Sequence, residues 1–200
     1  MLAFLIDGYH YGINPKTYLI TLLFAAGLIF YFIYIYRCFR SRIRKTVDLP
    51  MIQTLFSFLL LAAGILVLPF ILHYHLKQDP VAVHLSVVYG GLILIGWITA
   101  LILGQTFKTL PFIVWVKHYE HLTGKVKTPL PADLTRQLLL RIQFMAFVIF
   151  LLAFFAGTVS GTYFLKLTGA LSLITTAVVY LVQVTWLLLH QTRTEHYDPI

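Results

Sequence analysis

The chain has 200 residues, of which 60% are hydrophobic and 11% charged, with a formal net charge of +8 and a mean hydropathy of +0.86. Soluble chains carry about a quarter charged and about half apolar residues, so this composition excludes an ordinary soluble fold and points to an integral membrane protein. The lone cysteine, Cys38, excludes an internal disulfide, and there is no phosphate-binding glycine loop, serine nucleophile elbow or Cys/His zinc spacing.

The first residues, Met1 to Ile6, are apolar but reach Asp7 within one turn, so no cleavable signal peptide is expected there. Five later segments are long and apolar enough to cross a hydrocarbon layer of about 30 Å, at residues 17–36, 50–74, 84–107, 141–159 and 166–190. No barrel-like alternation is present, and backbone groups facing lipid must be paired internally, so all five are expected to be helices. The fold class expected is an all-α polytopic membrane bundle forming a single transmembrane domain. A cytoplasmic loop is expected at about 108–140, with a stiff Thr128-Pro129-Leu130-Pro131 run and Asp133 leading into the fourth helix.

Twelve of the 15 Lys and Arg residues fall on one side of this layout, in the loops after the first and third helices and in the tail. Lys16, Lys77 and Lys166 fall on the other. The positive-inside rule therefore puts the N-terminus outside and the C-terminus in the cytoplasm, with Tyr31, Tyr34, Tyr36, Trp115 and Tyr119 as an inner aromatic belt. The net charge is thus mostly positive-inside charge; it suits an anionic lipid surface and makes no case for nucleic acid.

In the third helix, Ser86/Gly90 and Gly96/Ala100/Gly104 recur at four-residue spacing, which lets another helix approach closely or makes room for a flat macrocycle. Ala146, Ala153 and Gly157 on the fourth helix offer a matching groove. Pro111 is expected to break or bend the third helix near its inner end. On the fifth helix, Thr168, Ser172, Thr175 and Gln183 form a polar stripe continued by Trp186 and His190, suited to interhelical hydrogen bonds or to a cavity.

His73, His75 and His84, with Asp79 between the last two, lie on the hairpin joining the second and third helices, and His10 lies on the same side. Neutral imidazoles suit copper, zinc or haem iron, although His73 and His75 point apart in a regular helix. On the inner side, His118 and His121 share a helix face at i, i+3 spacing, as a metal pair would. Acidic residues are absent from the helix centres, which counts against an ordinary proton-coupled transporter.

The run YGGLILIGWITALILGQTFKTLPFIVW, residues 89–115, resembles a segment of bacterial membrane proteins related to subunit I of haem–copper oxidases and nitric oxide reductases. The residues that carry the likeness are Gly96-Trp97, Gly104, Phe107-Lys108, Pro111-Phe112 and Trp115. The resemblance covers about an eighth of the chain. It implies a helical bundle of the bacterial inner membrane, corresponding to the C-terminal part of a longer twelve-helix protein or to a reduced relative. Haem-binding members carry a histidine, often His-x-His, just before the Gly-Trp element; here Tyr89 and Gly91 stand in those places, and the haem ligand expected there is missing.

Three functions follow as expectations. The first is a respiratory-type or haem-associated component, with haem or copper on His84, His73 and His75. The second is a non-redox structural or assembly module with a partner subunit or an N-terminal half. The third is a small-solute permease using the stripe from Thr168 to Gln183. In each the chain's principal partner is the lipid bilayer.

Overall fold

A computed structural model describes residues 15–41, 47–77, 80–123 and 128–192, and the chain divides into two compact units, Met1–Thr46 and Val47–Ile200. The first unit is the helix α1 (Pro15–Arg40), whose Leu22 and Phe30 are about seven-tenths exposed within it. Cys38 is exposed near its end, and its carbonyl accepts from Ser41 Oγ at 3.3 Å.

The second unit holds α2 (Leu49–Leu76), α3 (Val81–Gly90), a π-helical stretch (Gly91–Ile98), α4 (Thr99–Tyr119), α5 (Gln137–Ser160) and α6 (Tyr163–Leu188). Among the described residues no strand occurs. Four spans in this unit, Leu49–Ile71, Val81–Leu122, Gln137–Ser160 and Tyr163–Leu188, are long and apolar enough to cross a membrane. At most 39% of any span's most apolar window is buried inside the chain, so most of that apolar surface is left for lipid or another protein.

The third predicted helix is longer than its apolar run suggested. Instead of ending at Phe107, it continues through 42 residues, Val81–Leu122, and so replaces the first part of the loop expected at 108–140. A helix of that length measures about 63 Å, about twice the hydrocarbon thickness. Pro111 does not break it. Phe107, Pro111 and Val114, spaced by four and three residues, are all buried on one face. Burial of that face outweighs the hydrogen bond that the proline ring removes. Pro69 likewise lies inside α2.

The π-helical winding coincides with the glycine-rich part of the resemblance segment. At its end the Thr99 N–H donates to the Gly96 carbonyl, and the Thr99 Oγ donates to the Leu94 carbonyl at 3.4 Å. Here four-residue counting fails: Gly90 has no neighbouring atom within 4 Å of where a side chain would start, whereas a Cβ on Gly91 would meet the Phe154 ring at 2.7 Å.

Two clusters hold the unit together. One gathers Leu60, Leu92, Ala100, Leu103, Phe147 and Phe150 between α2, α3–α4 and α5. The other gathers Phe107, Val114, Tyr119, Leu134, Leu140 and Leu187 at the opposite end from the α2–α3 hairpin. Helices α5 and α6 form an antiparallel hairpin that reverses at Gly161, whose φ of 70° is the left-handed conformation favoured by glycine at a helix C-terminus. Its N–H donates to the Gly157 carbonyl at 3.1 Å.

Candidate functional site

The small-residue faces contact different helices from those their spacing suggested. Gly96 lies against Leu60 of α2, 3.4 Å from where its Cβ would be. Gly104 meets α2 still more tightly: a Cβ there would sit 2.7 Å from Thr54 Oγ and 2.9 Å from the Pro50 carbonyl oxygen. Ala100 is fully buried in the same packing. Ala153 and Gly157 of α5 instead face α6, where Ala153 lies 3.6 Å from the Gly169 position and Gly157 closes on Leu165 and Lys166. Gly96 and Gly104 thus pack on α2, and Ala153 and Gly157 on α6, rather than on each other, whereas Ala100 lies in the cluster shared with Phe147 and Phe150 of α5.

This packing decides whether a flat macrocycle fits at the glycines. Gly64 is filled by Ile93, Gly91 by Phe154, Gly96 by Leu60 and Gly104 by Thr54 with the Pro50 backbone. Interiors are close-packed, and a ring several ångströms across would have to part α2 from α4. The residues around the resemblance segment thus do not fit a haem between these helices.

On the α2–α3 hairpin, His73 and His84 are exposed, with the His73 ring 5.5 Å from that of Tyr74. The His75 side chain, Asp79 and His10 lie outside the described residues. Among the described residues no group of three or more His, Cys, Asp or Glu side chains gathers in metal-binding geometry.

The polar stripe on α6 divides by depth and direction. Thr168 and Thr175 donate to carbonyls one turn back, Phe164 and Leu171, at 2.9 Å each, and the Ser172 carbonyl accepts from Thr176 Oγ at 2.9 Å. Thr175 is exposed, so it points away from the bundle, while Thr176 and Gln183 are buried. Gln183 Nε2 donates to Gln143 Oε1 of α5 at 3.4 Å, which leaves Gln143 Nε2 and Gln183 Oε1 buried without a protein partner. Gln183 lies about 8 Å from the C-terminal end of α6. A second polar contact joins α4 to α2: Gln105 Nε2 donates to Thr54 Oγ at 3.1 Å, and Thr54 donates on to the Pro50 carbonyl.

The most concentrated chemistry lies where α4, the 3-10 turn Pro131–Leu134, the start of α5 and the end of α6 converge. Tyr119 Oη and His190 Nε2 are 2.9 Å apart, and His118 Nδ1 lies 3.1 Å from Thr192 Oγ. The His118 and His190 rings meet edge-on at 6.0 Å. Thus His118 is directed to His190, not to its expected partner His121, which is exposed beyond the end of α4. Tyr119 is also fully buried, and Trp115 donates through Nε1 to the Pro129 carbonyl at 2.6 Å. Trp115 thereby ties the 128–134 segment to α4, and Tyr119 packs against the same segment in the cluster with Leu134. Asp133 Oδ2 accepts from the Leu130 N–H at 3.1 Å and fixes the turn.

Beside this cluster runs an open groove of about 950 Å3, with Asp133, Leu181, Val182, Trp186, Leu189 and His190 among its lining residues. The Arg136 guanidinium lies 4.8 Å over the Trp186 ring. Neither Tyr119–His190 nor Gln143–Gln183 is implied by local spacing, since each contact joins distant parts of the chain. Gln143 did carry a signal, as an amide inside an apolar helix that needs a protein partner. Comparison of the chain with protein-family models, curated proteins and solved structures finds no match.

Proposed function

We propose that the chain is a non-redox structural or assembly module of the membrane, related in helical architecture to the oxidase-type subunits that its 89–115 segment resembles. The observation that carries this reading is the filling of the glycine positions: Gly91, Gly96 and Gly104 receive Phe154, Leu60 and Thr54, side chains of the same chain. The absent histidines at Tyr89 and Gly91 point the same way. On α3, by contrast, Gly90 faces open space one turn after the exposed Ser86, a small-residue face suited to a helix of a partner subunit. Affinity capture from membranes tests the reading. A partner subunit should co-purify with the wild type and be lost from Gly90→Leu; a chain that remains alone and binds a chromophore would overturn it.

The haem- or copper-associated reading rests on His73 and His84, whose exposed positions on the α2–α3 hairpin leave both rings accessible. Its test is a Soret band or bound copper in purified protein that His84→Ala removes. The permease reading has less support, because Thr168 and Thr175 are spent on bonds to their own helix.

A further inference from the structure

The groove beside α6 has an amphiphilic layout. One wall is Leu181 and Val182, which are 66% and 51% exposed and lie on the apolar span Tyr163–Leu188, so this part of the groove opens on the lipid side. Its other end is polar, with Asp133, Thr185, His190 and Thr192. Trp186 stands between the two, and it also lines a small crevice shared with Arg136, Thr135 and Gln183. The guanidinium stacked over Trp186 therefore stands at the groove's rim, where the indole face restrains it. His190 Nε2 is occupied by Tyr119, which assigns the cationic contact to Arg136.

We propose that this groove holds one anionic phospholipid with a hydroxyl-bearing headgroup. Its phosphate accepts from Arg136, and a headgroup hydroxyl donates to the Asp133 carboxylate. Its acyl chain lies along Leu181 and Val182. Charge complementarity selects the anion: Arg136 at the N-cap of α5 and Arg141 in its second turn are exposed at this end of the bundle. The Asp133 carboxylate lines the groove and can accept from a headgroup hydroxyl, while the preference for the anionic lipid rests on the basic side chains at this end. The groove thereby fixes one lipid where α4, α5 and α6 converge. This inference is independent of any cofactor, so it and the proposed function can fail separately.

The full chain is reconstituted in bilayers of phosphatidylcholine and phosphatidylglycerol, extracted in mild detergent, and its retained lipid measured by native mass spectrometry. The wild type should keep one phosphatidylglycerol per chain in preference to phosphatidylcholine. Arg136→Gln should bind it about tenfold more weakly, the size of one charge-assisted contact. Lys117→Gln, outside the groove, should match the wild type. Indiscriminate retention by the wild type, unchanged retention by Arg136→Gln, or an equal loss in Lys117→Gln would overturn the proposal. A second readout does not depend on Arg136→Gln folding. Brominated-chain phosphatidylglycerol should quench the fluorescence component that Trp186→Phe removes, and the absence of that quenching would also overturn it.

Discussion

Substituting alanine at Gly104 and at Gly90 separates close helix packing from helix propensity. Both glycines have helical neighbours, and Gly90 itself has φ −57° and ψ −41°. Glycine inside a helix costs about 0.5–1 kcal/mol relative to alanine, so either substitution gains about that much if nothing else changes. At Gly90 nothing else changes, because no atom lies within 4 Å of the new methyl. At Gly104 the methyl would stand 2.7 Å from Thr54 Oγ, 2.9 Å from the Pro50 carbonyl oxygen and 3.0 Å from the Thr54 nitrogen. Two of those atoms are backbone, so α2 and α4 must separate, and overpacking of this kind costs about 1–3 kcal/mol. The two variants should therefore differ by about that amount, with Gly90→Ala the more stable. Reversible unfolding in mixed detergent micelles measures the difference. Equal stability of Gly104→Ala and Gly90→Ala would refute the close approach of α2 and α4.

The buried amides give a second comparison. Gln183→Leu should cost about 1–3 kcal/mol by leaving the Gln143 amide unpaired, whereas Gln143→Leu/Gln183→Leu should recover most of the loss in the same unfolding assay. Leu134→Ala removes a 4% exposed side chain from the cluster around Tyr119 and should cost about 2–5 kcal/mol. Trp115→Phe keeps an aromatic ring but removes the indole N–H and with it the bond to the Pro129 carbonyl, a bond worth about 0.5–1.5 kcal/mol. Limited proteolysis should show the 128–134 segment becoming more accessible in that variant.

Where the sequence was legible, one physical rule dominated. Long apolar runs must be helices in lipid, and the four spans of the second unit follow that rule. Boundaries set by tertiary contacts were not legible. The helix through Pro111 persists because Phe107, Pro111 and Val114 are buried together, and that face is completed by Leu134, Leu140 and Leu187 from elsewhere in the chain. The π-helical stretch changed which glycine is close-packed, since spacing of four assumes an ordinary α-helix throughout. His118 was assigned a neighbour on its own helix, but the partner it meets is His190, brought near by the end of α6. Short-range periodicity does not carry such pairings.

The central claim is that the positions of Gly91, Gly96 and Gly104 are filled by the chain itself and leave no room for a macrocycle. It is tested most directly by the optical spectrum and metal content of the full chain, purified after expression with haem and copper supplied. The account predicts protein without a Soret band and with copper and iron far below one atom per chain. A stoichiometric haem spectrum, whether or not His84→Ala removes it, would contradict the account.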